Sequence, residues 1–399
     1  MGRAVKLFLI AGEPSGDALG ASLMAGLKAA RSDIEFSGIG GPLMQAEGLN
    51  SLFPVSDLSV MGLAEVLPRL RHLFKRRDQA ANAVIEGQVD ALITIDSPDF
   101  CLRVAKQVKI RAAKLPVIHY VAPTIWAWRA GRARKMARFV DHVLALFPFE
   151  PPLMQAVGMG CDFVGHPVAQ MPQAAPEDCS AYRAGLGVGA GDPMLLMLPG
   201  SRRGEIARLG PRFGQVARGF LQAHPRAHIV LPAAPAIADD VAQMMAAWDL
   251  GPRAHLLDPR AAGADYPHQK SCAFGAADLA LAASGTVSLE LAAAKTPMVI
   301  AYDMAPLSRV LMRWMLKIDT VTLVNLISET RHIPEFLGKG FEPAPVLTAL
   351  ERLVSDQTAR NDQIQAAEVS MARLGAGDRD PKARAAEAVL RVLGKEIVG

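Results

Sequence analysis

The chain has 399 residues, 51% of them hydrophobic, and a formal net charge of +4, which points to two or three packed domains and excludes wholesale disorder. No run of eighteen uninterrupted apolar residues occurs, so no transmembrane helix is expected, and the short apolar run after Arg3 and Lys6 lacks the length and cleavage site of a signal peptide. The four cysteines, Cys101, Cys161, Cys179 and Cys272, form no C-x-x-C pair, which excludes a zinc knuckle or redox motif, and so small a charge does not by itself indicate nucleic acid.

From the N-terminus, "VKLFLIA" (5–11) reads as a strand and "SGDALGASLMAGLKAAR" as a helix. "IEFSGIG", "DALITID", "PVIHYVAP" and "HVLALFPF" repeat the theme. Continuous apolar strands bounded by Gly, Pro and Asp suit a parallel sheet covered on both faces. The composition shifts to Pro, Gly, Ala and Gln over 165–193, the expected linker. The alternation restarts with "MLLMLPG", "AHIVLPAA", "AHLLD", "ADLALAAS" and "PMVIAYDM", and the tail after about residue 342 reads as helices only. The expectation is α/β: two doubly wound, Rossmann-like domains at 1–168 and 193–342, a linker at 169–192, and C-terminal helices at 343–399. Two such domains would face a cleft, with ligands at the carboxyl ends of the strands.

The loops after the strands are therefore where chemistry is sought. "LPGSRRGE" delivers Ser201, Arg202 and Arg203 to a helix start, where free amides and a guanidinium suit phosphate, unless both arginines are merely solvated. "ASGTVSLE" brings Ser284, Gly285 and Thr286 to a second helix start, with Glu290 one turn on. Two such loops in one domain suit a nucleotide diphosphate and Glu290 a ribose; the bland alternative is an ordinary capped helix with Glu290 in solvent. The P-loop, G-x-G-x-x-G and G-x-S-x-G patterns are missing. In the first domain Glu13, Ser15 and Asp17 follow the first strand, and Asp96 and Asp99 follow "LITI". Asp96 is a candidate base for a hydroxyl nucleophile or else a turn former, whereas Asp99 fits helix capping. His119 and His166 are candidate acids or bases, more commonly structural.

The strings "AGEPSGD", "GGPLMQAEG", "VMGLAEVL", "DSPDF", "HYVAPTIWAWR", "FPFE", "GHP", "LPGSRRGEI", "ASGTVSLE" and "LVNLI" occur in this order. Together they resemble the lipid-A-disaccharide synthase family, glycosyltransferases of the GT-B fold, over roughly residues 5 to 390. The resemblance implies an inverting hexosyltransferase that moves 2,3-diacylglucosamine from its UDP carrier to 2,3-diacylglucosamine 1-phosphate in lipid A biosynthesis. It implies catalytic roles for Asp96, Arg202 and Asn325, with Val324 standing where the family's string has proline. Glu13, Ser15, Gly16, Ser201, Ser284, Gly285, Thr286 and Glu290 become substrate-binding positions. It implies no metal and no cofactor, and it leaves homodimer formation open.

Acylated substrates imply contact with membrane lipid. In "MGLAEVLPRLRHLFKRRDQ", Val66, Leu67, Leu70, Leu73 and Phe74 recur with helical spacing beside Arg69, Arg71, Lys75, Arg76 and Arg77. This reads as a basic interfacial helix, or else as a helix packed on the sheet, and Pro68 argues against its being continuous. Trp126 and Trp128 could be interface anchors, cleft lining or core. The expected location is the cytoplasm, peripherally on the inner face of the cytoplasmic membrane. The rivals are a GT-B-fold UDP-sugar enzyme with a soluble acceptor or epimerase activity, and a non-catalytic two-lobed nucleotide- or lipid-binding protein.

Overall fold

The structure, a computed structural model, describes residues 3–58, 63–123, 131–303 and 319–395, with the backbone alone for 63–70. The chain divides into two compact units: Met1–Pro167 with Gly377–Gly399, and Val168–Ala376.

Unit 1 is built on a seven-stranded sheet ordered β3-β2-β1-β4-β5-β6-β7. The strands are β1 (Val5–Ala11), β2 (Ile34–Ile39), β3 (Asn50–Ser51), β4 (Ala91–Ile95), β5 (Val117–Tyr120), β6 (His142–Ala145) and β7 (Gly160–Phe163). Every pairing is parallel. Both faces carry helices, so β4 and β5 have every residue buried and read as unbroken apolar runs, with Thr94 and His119 the only polar insertions. Strand order reverses between β1 and β4, where Ala11 sits opposite Ile95. That reversal is the topological switch point, at which the loops leaving two adjacent strands diverge and open a crevice.

The helix Leu63–Glu86 runs unbroken through Pro68, contrary to expectation. A proline this close to the described helix start removes one backbone bond, while the far half packs on the helix Pro98–Arg111 and buries Ala80, Ala81 and Val84. No helix among the described residues is long and apolar enough to cross a membrane.

Unit 2 repeats the architecture with β8 (Met194–Leu198), β9 (His228–Pro232), β10 (Ala254–Leu257), β11 (Leu279–Ala282), β12 (Met298–Tyr302) and β13 (Glu335–Leu337). Its order is β10-β9-β8-β11-β12-β13, again wholly parallel. The switch point lies between β8 and β11, with Leu198 opposite Ala282. Phe213, from the long helix Arg203–Ala223, meets Phe341 edge-on at 5.8 Å in the core.

Two segments differ from the sequence-based partition. The stretch expected as a linker carries the helix Pro176–Gly185, which packs on the helix Tyr266–Ala276 of unit 2. Arg183 fastens it by donating to the carbonyls of Ala276 (2.8 Å) and Asp192 (2.6 Å). The tail is also divided. Helices Pro343–Ser355 and Gln357–Arg373 stay with unit 2, but Pro381–Val392 returns to unit 1 and packs on the helix Pro14–Ala30. A Cβ on Gly26 would lie 2.4 Å from the Lys382 carbonyl, so the two backbones approach closely there. Arg384 donates to the Phe163 carbonyl at 2.8 Å, and Arg391 pairs with Asp162.

Candidate functional site

In unit 2, β8 ends at Leu198 and the chain turns through Pro199–Arg202 into the helix Arg203–Ala223. The turn needs glycine: Gly200 has φ +122°, and a Cβ there would lie 2.6 Å from Glu205 Oε2. Glu205 reaches back from the first helical turn to accept the Ser201 N–H at 3.1 Å, as in a capping box shifted by one residue. Tyr302 donates its hydroxyl to the other Glu205 oxygen at 3.3 Å, and burial holds that phenol above its usual range. Arg202 comes no closer to Glu205 than 3.8 Å and leaves its side chain 61% exposed. The guanidinium thus stands at the cavity mouth with no short ion pair to any described residue.

The neighbouring strand β11 runs through Ala283 into Ser284, Gly285 and Thr286, then into the helix Val287–Ala293. Gly285 has φ +143° and open space where a Cβ would stand. Neither Ser284 nor Thr286 caps the helix with its side chain; Ser288 instead folds back, its hydroxyl donating to the Gly285 carbonyl at 2.9 Å. The capping role open to Ser284 and Thr286 on sequence grounds is therefore not taken, and both line a cavity of about 410 Å³. Gly200, Ser201, Arg202, Glu205, Gly285 and Glu290 line the same cavity. Ser201, Arg202, Ser284, Gly285, Thr286 and Glu290 thus converge at one switch point, whereas Arg203 points away, 79% exposed and paired with Asp240 at 3.1 Å.

Glu290 does not face open solvent. It accepts from Lys270 Nζ at 2.5 Å, and that ammonium also lies 5.2 Å from the centre of the Phe274 ring. Tyr266, Lys270 and Phe274 line the cavity from one face of the helix Tyr266–Ala276. Their spacing of four residues is the signal that would have found them. Tyr266 is fixed by donating its hydroxyl to the Ala233 carbonyl at 2.6 Å, and burial pushes the phenol up to about 12.

Asn325 lies elsewhere and is not presented to the cavity. It is buried, donating to the Ile333 carbonyl at 2.9 Å and accepting the Ile333 N–H at 3.1 Å. Glu335 beside it accepts the N–H groups of Val321 (3.2 Å) and Thr322 (2.8 Å) and the Thr320 hydroxyl. This network ties β13 to the helix Leu323–Ser328, and the Asn325 amide is occupied by the backbone of Ile333.

The switch point of unit 1 has a different character. Glu13 opens the helix Pro14–Ala30 from an extended conformation without a side-chain cap, Ser15 is exposed, and Gly16 is buried with its would-be Cβ 3.3 Å from the Ile95 carbonyl. Asp17 is structural: its carboxylate accepts the N–H groups of Gly41 (2.8 Å), Leu43 (3.0 Å) and Met44 (3.0 Å). Across from this loop, Asp96 and Ser97 have φ +50° and +40°, two successive non-glycine residues in the left-handed region. Such conformations cost about 1–2 kcal/mol each and gather at functional sites. A Cβ on Gly12 would lie 2.7 Å from Ser97 Oγ, so this turn is pressed against the first loop. Ser97 Oγ is shielded from solvent, and no described residue hydrogen-bonds it. The Asp96 N–H is spent on the Tyr120 carbonyl at 2.9 Å, and its half-buried carboxylate is hydrogen-bonded by no described residue. Asp99, in the first turn of Pro98–Arg111, is exposed beside Arg132 at 3.4 Å.

The histidines take the structural option. His119 is fully buried with Nδ1 2.8 Å from Thr94 Oγ1; burial first, then the nearby Arg132 charge, lowers it to about 4. His166 stacks on Phe147 at 5.7 Å, and burial lowers it to about 4 as well. Of the amphipathic segment, Leu73 is half-buried and Phe74 is 39% exposed with Arg77 over its ring at 5.0 Å. Val66, Leu67 and Leu70 fall where only the backbone is described, and Trp126 and Trp128 lie outside the described residues.

The family model described as lipid-A-disaccharide synthetase matches residues 7–389. The chain is 54% identical to the lipid-A-disaccharide synthase of Ruegeria pomeroyi over 390 residues, covering 98% of this chain and 96% of that one. Against the enzyme of the same name from Rhodospirillum centenum it is 46% identical over 393 residues, with 98% and 96% covered. Among solved structures, it superposes on a UDP-GlcNAc 2-epimerase from Neisseria meningitidis with a TM-score of 0.60 at 9% identity, covering 98% of this chain and 99% of that chain. A calicheamicin glycosyltransferase gives 0.55 at 16% identity, with 99% of each chain covered. Those structural likenesses establish the GT-B architecture alone; the sequence matches go further, and the chain belongs to the lipid-A-disaccharide synthase family.

Proposed function

We propose that this chain is the hexosyltransferase that moves 2,3-diacylglucosamine from UDP-2,3-diacylglucosamine to 2,3-diacylglucosamine 1-phosphate. The products are the β-1,6-linked disaccharide 1-phosphate and UDP. The observation that carries this reading is the cavity at the unit 2 switch point, lined by the loops of two strings shared with the family, "LPGSRRGEI" and "ASGTVSLE". Ser201, Ser284, Gly285 and Thr286 receive the diphosphate, and Glu290 receives the ribose hydroxyls. Arg202, exposed at the rim, meets the charge that grows on the β-phosphate as the anomeric bond breaks.

In unit 1, Glu13, Ser15 and Gly16 form the acceptor side, and Asp96 is the general base. The acceptor's primary hydroxyl attacks the anomeric carbon, its proton passes to the Asp96 carboxylate, and the electron pair of the breaking C–O bond leaves with UDP. Attack opposite the leaving group inverts the anomeric centre. Support for Asp96 comes from its carboxylate, held in a strained turn at a switch point with no described partner. Peripheral contact with the inner face of the cytoplasmic membrane would use Leu73 and Phe74, among exposed Arg71 and Lys75, together with Val66, Leu67 and Leu70.

The test is an assay of the purified chain with both acylated sugars. UDP release and disaccharide formation should require the diacylated acceptor and survive chelation of divalent cations, since a guanidinium and backbone amides neutralise the diphosphate. UDP release with a soluble acceptor, epimerisation of the donor, or a strict magnesium requirement would overturn the corresponding part.

A further inference from the structure

A salt bridge inside the unit 2 cavity carries a role beyond the positions matched to the family strings. Lys270 Nζ lies 2.5 Å from Glu290 Oε2, and both side chains are only partly exposed, 33% and 25%. Lys270 is itself braced: its ammonium sits 5.2 Å from the Phe274 ring centre, and one turn earlier Tyr266 is pinned to the Ala233 carbonyl. The three side chains line the cavity from one helix face, so the cation approaches Glu290 from a fixed wall. Glu290 stands on a different helix, Val287–Ala293, that follows the Ser284–Thr286 loop. The lysine engages Oε2 and no described residue hydrogen-bonds Oε1, leaving that oxygen free to accept from a ligand.

We propose that Lys270 is a positioning residue, which holds the Glu290 carboxylate in one orientation so that its free oxygen accepts from the vicinal hydroxyls of the donor's ribose. The proposal rests on the UDP-site reading above. A carboxylate unpaired in this wall would rotate toward water and lose part of its hold on the sugar, since hydrogen bonds to a charged, pre-oriented group are the stronger kind. Lys270 itself touches no reacting atom in this scheme; it acts through Glu290.

The experiment is calorimetric titration of the full chain with UDP and with 2′,3′-dideoxy-UDP, in wild type and in the Lys270→Met, Lys270→Arg and Glu290→Gln variants. Wild type should prefer UDP over the dideoxy analogue by about tenfold or more, the value of a charge-assisted hydrogen bond. Lys270→Met and Glu290→Gln should each remove most of that preference while binding dideoxy-UDP as wild type does. Lys270→Arg should restore the preference, which a purely structural loss would not allow. Equal losses for both nucleotides in Lys270→Met would overturn the proposal, because the lysine would then act on phosphate or on the fold. An undiminished preference would overturn it too. Wild type that binds neither nucleotide would sink the UDP-site reading itself, a result distinct from either.

Discussion

The two switch points share a strand topology and solve opposite problems. In unit 2 the residues with positive φ beside the site are glycines, Gly200 at +122° and Gly285 at +143°, and the loops open onto a cavity of about 410 Å³. Glycine at these positions leaves backbone and hydroxyls accessible without strain. In unit 1 the positive φ values fall on Asp96 and Ser97, which carry side chains, and the glycine that matters, Gly12, makes room for the Ser97 side chain. On the proposed reading, one site uses glycine to admit a ligand, and the other spends strain to aim a carboxylate. The comparison teaches that one strand topology can carry an open, glycine-lined loop pair or a strained turn pressed against its neighbour.

The sharpest way to break this contrast is Asp96→Asn. It should lower kcat by about a thousandfold, within the range for a lost general base, and leave UDP affinity unchanged by calorimetry. A parallel loss of UDP binding would erase the division of labour. Next comes Arg202→Ala, expected to cost about 3–4 kcal/mol of transition-state stabilisation and, unlike the Asp96 variant, to weaken UDP binding as well. The glycines give a finer test. Gly200→Ala places a Cβ in the left-handed region 2.6 Å from Glu205 Oε2 and should cost about 2 kcal/mol, read in thermal unfolding, with weaker UDP binding. Gly12→Ala pushes on Ser97 from 2.7 Å and should reduce kcat while sparing UDP affinity.

The smallest expected effect is a pH dependence of stability. His119 and His166, both in unit 1, are lowered to about 4 by burial, below the 6.5 of an exposed imidazole. Between about 4 and 6.5 the unfolded chain therefore binds more protons than the folded one. Stability is greatest above that window and falls as the pH drops through it, by up to about 1.4 kcal/mol per pH unit for each histidine. In unit 2, His228 and His255 are lowered too, by burial foremost, but are less buried. Unit 1 should be the first to lose structure on acidification, followed by hydrogen exchange. His119→Asn should remove part of its slope, with His166 carrying the rest.

The amino-acid sequence alone determined the doubly wound architecture and the loops that leave its strands at the two switch points, for a physical reason. A parallel strand covered on both faces must be a continuous apolar run, so its end is visible, and the small, charged or hydroxyl residues that follow mark the loops: Gly200–Arg202, Ser284–Thr286 and Asp96. Short edge strands such as Asn50–Ser51 and Glu335–Leu337 carry no such run and left no signal. Tertiary structure alone decided the rest. It brought Lys270 to Glu290 from another helix and saturated Asn325 with the backbone of Ile333. It also sent the last helix back to unit 1, where Arg384 and Arg391 dock. Each of these depends on which amphipathic face meets which, and periodicity specifies that a face is apolar without naming its partner.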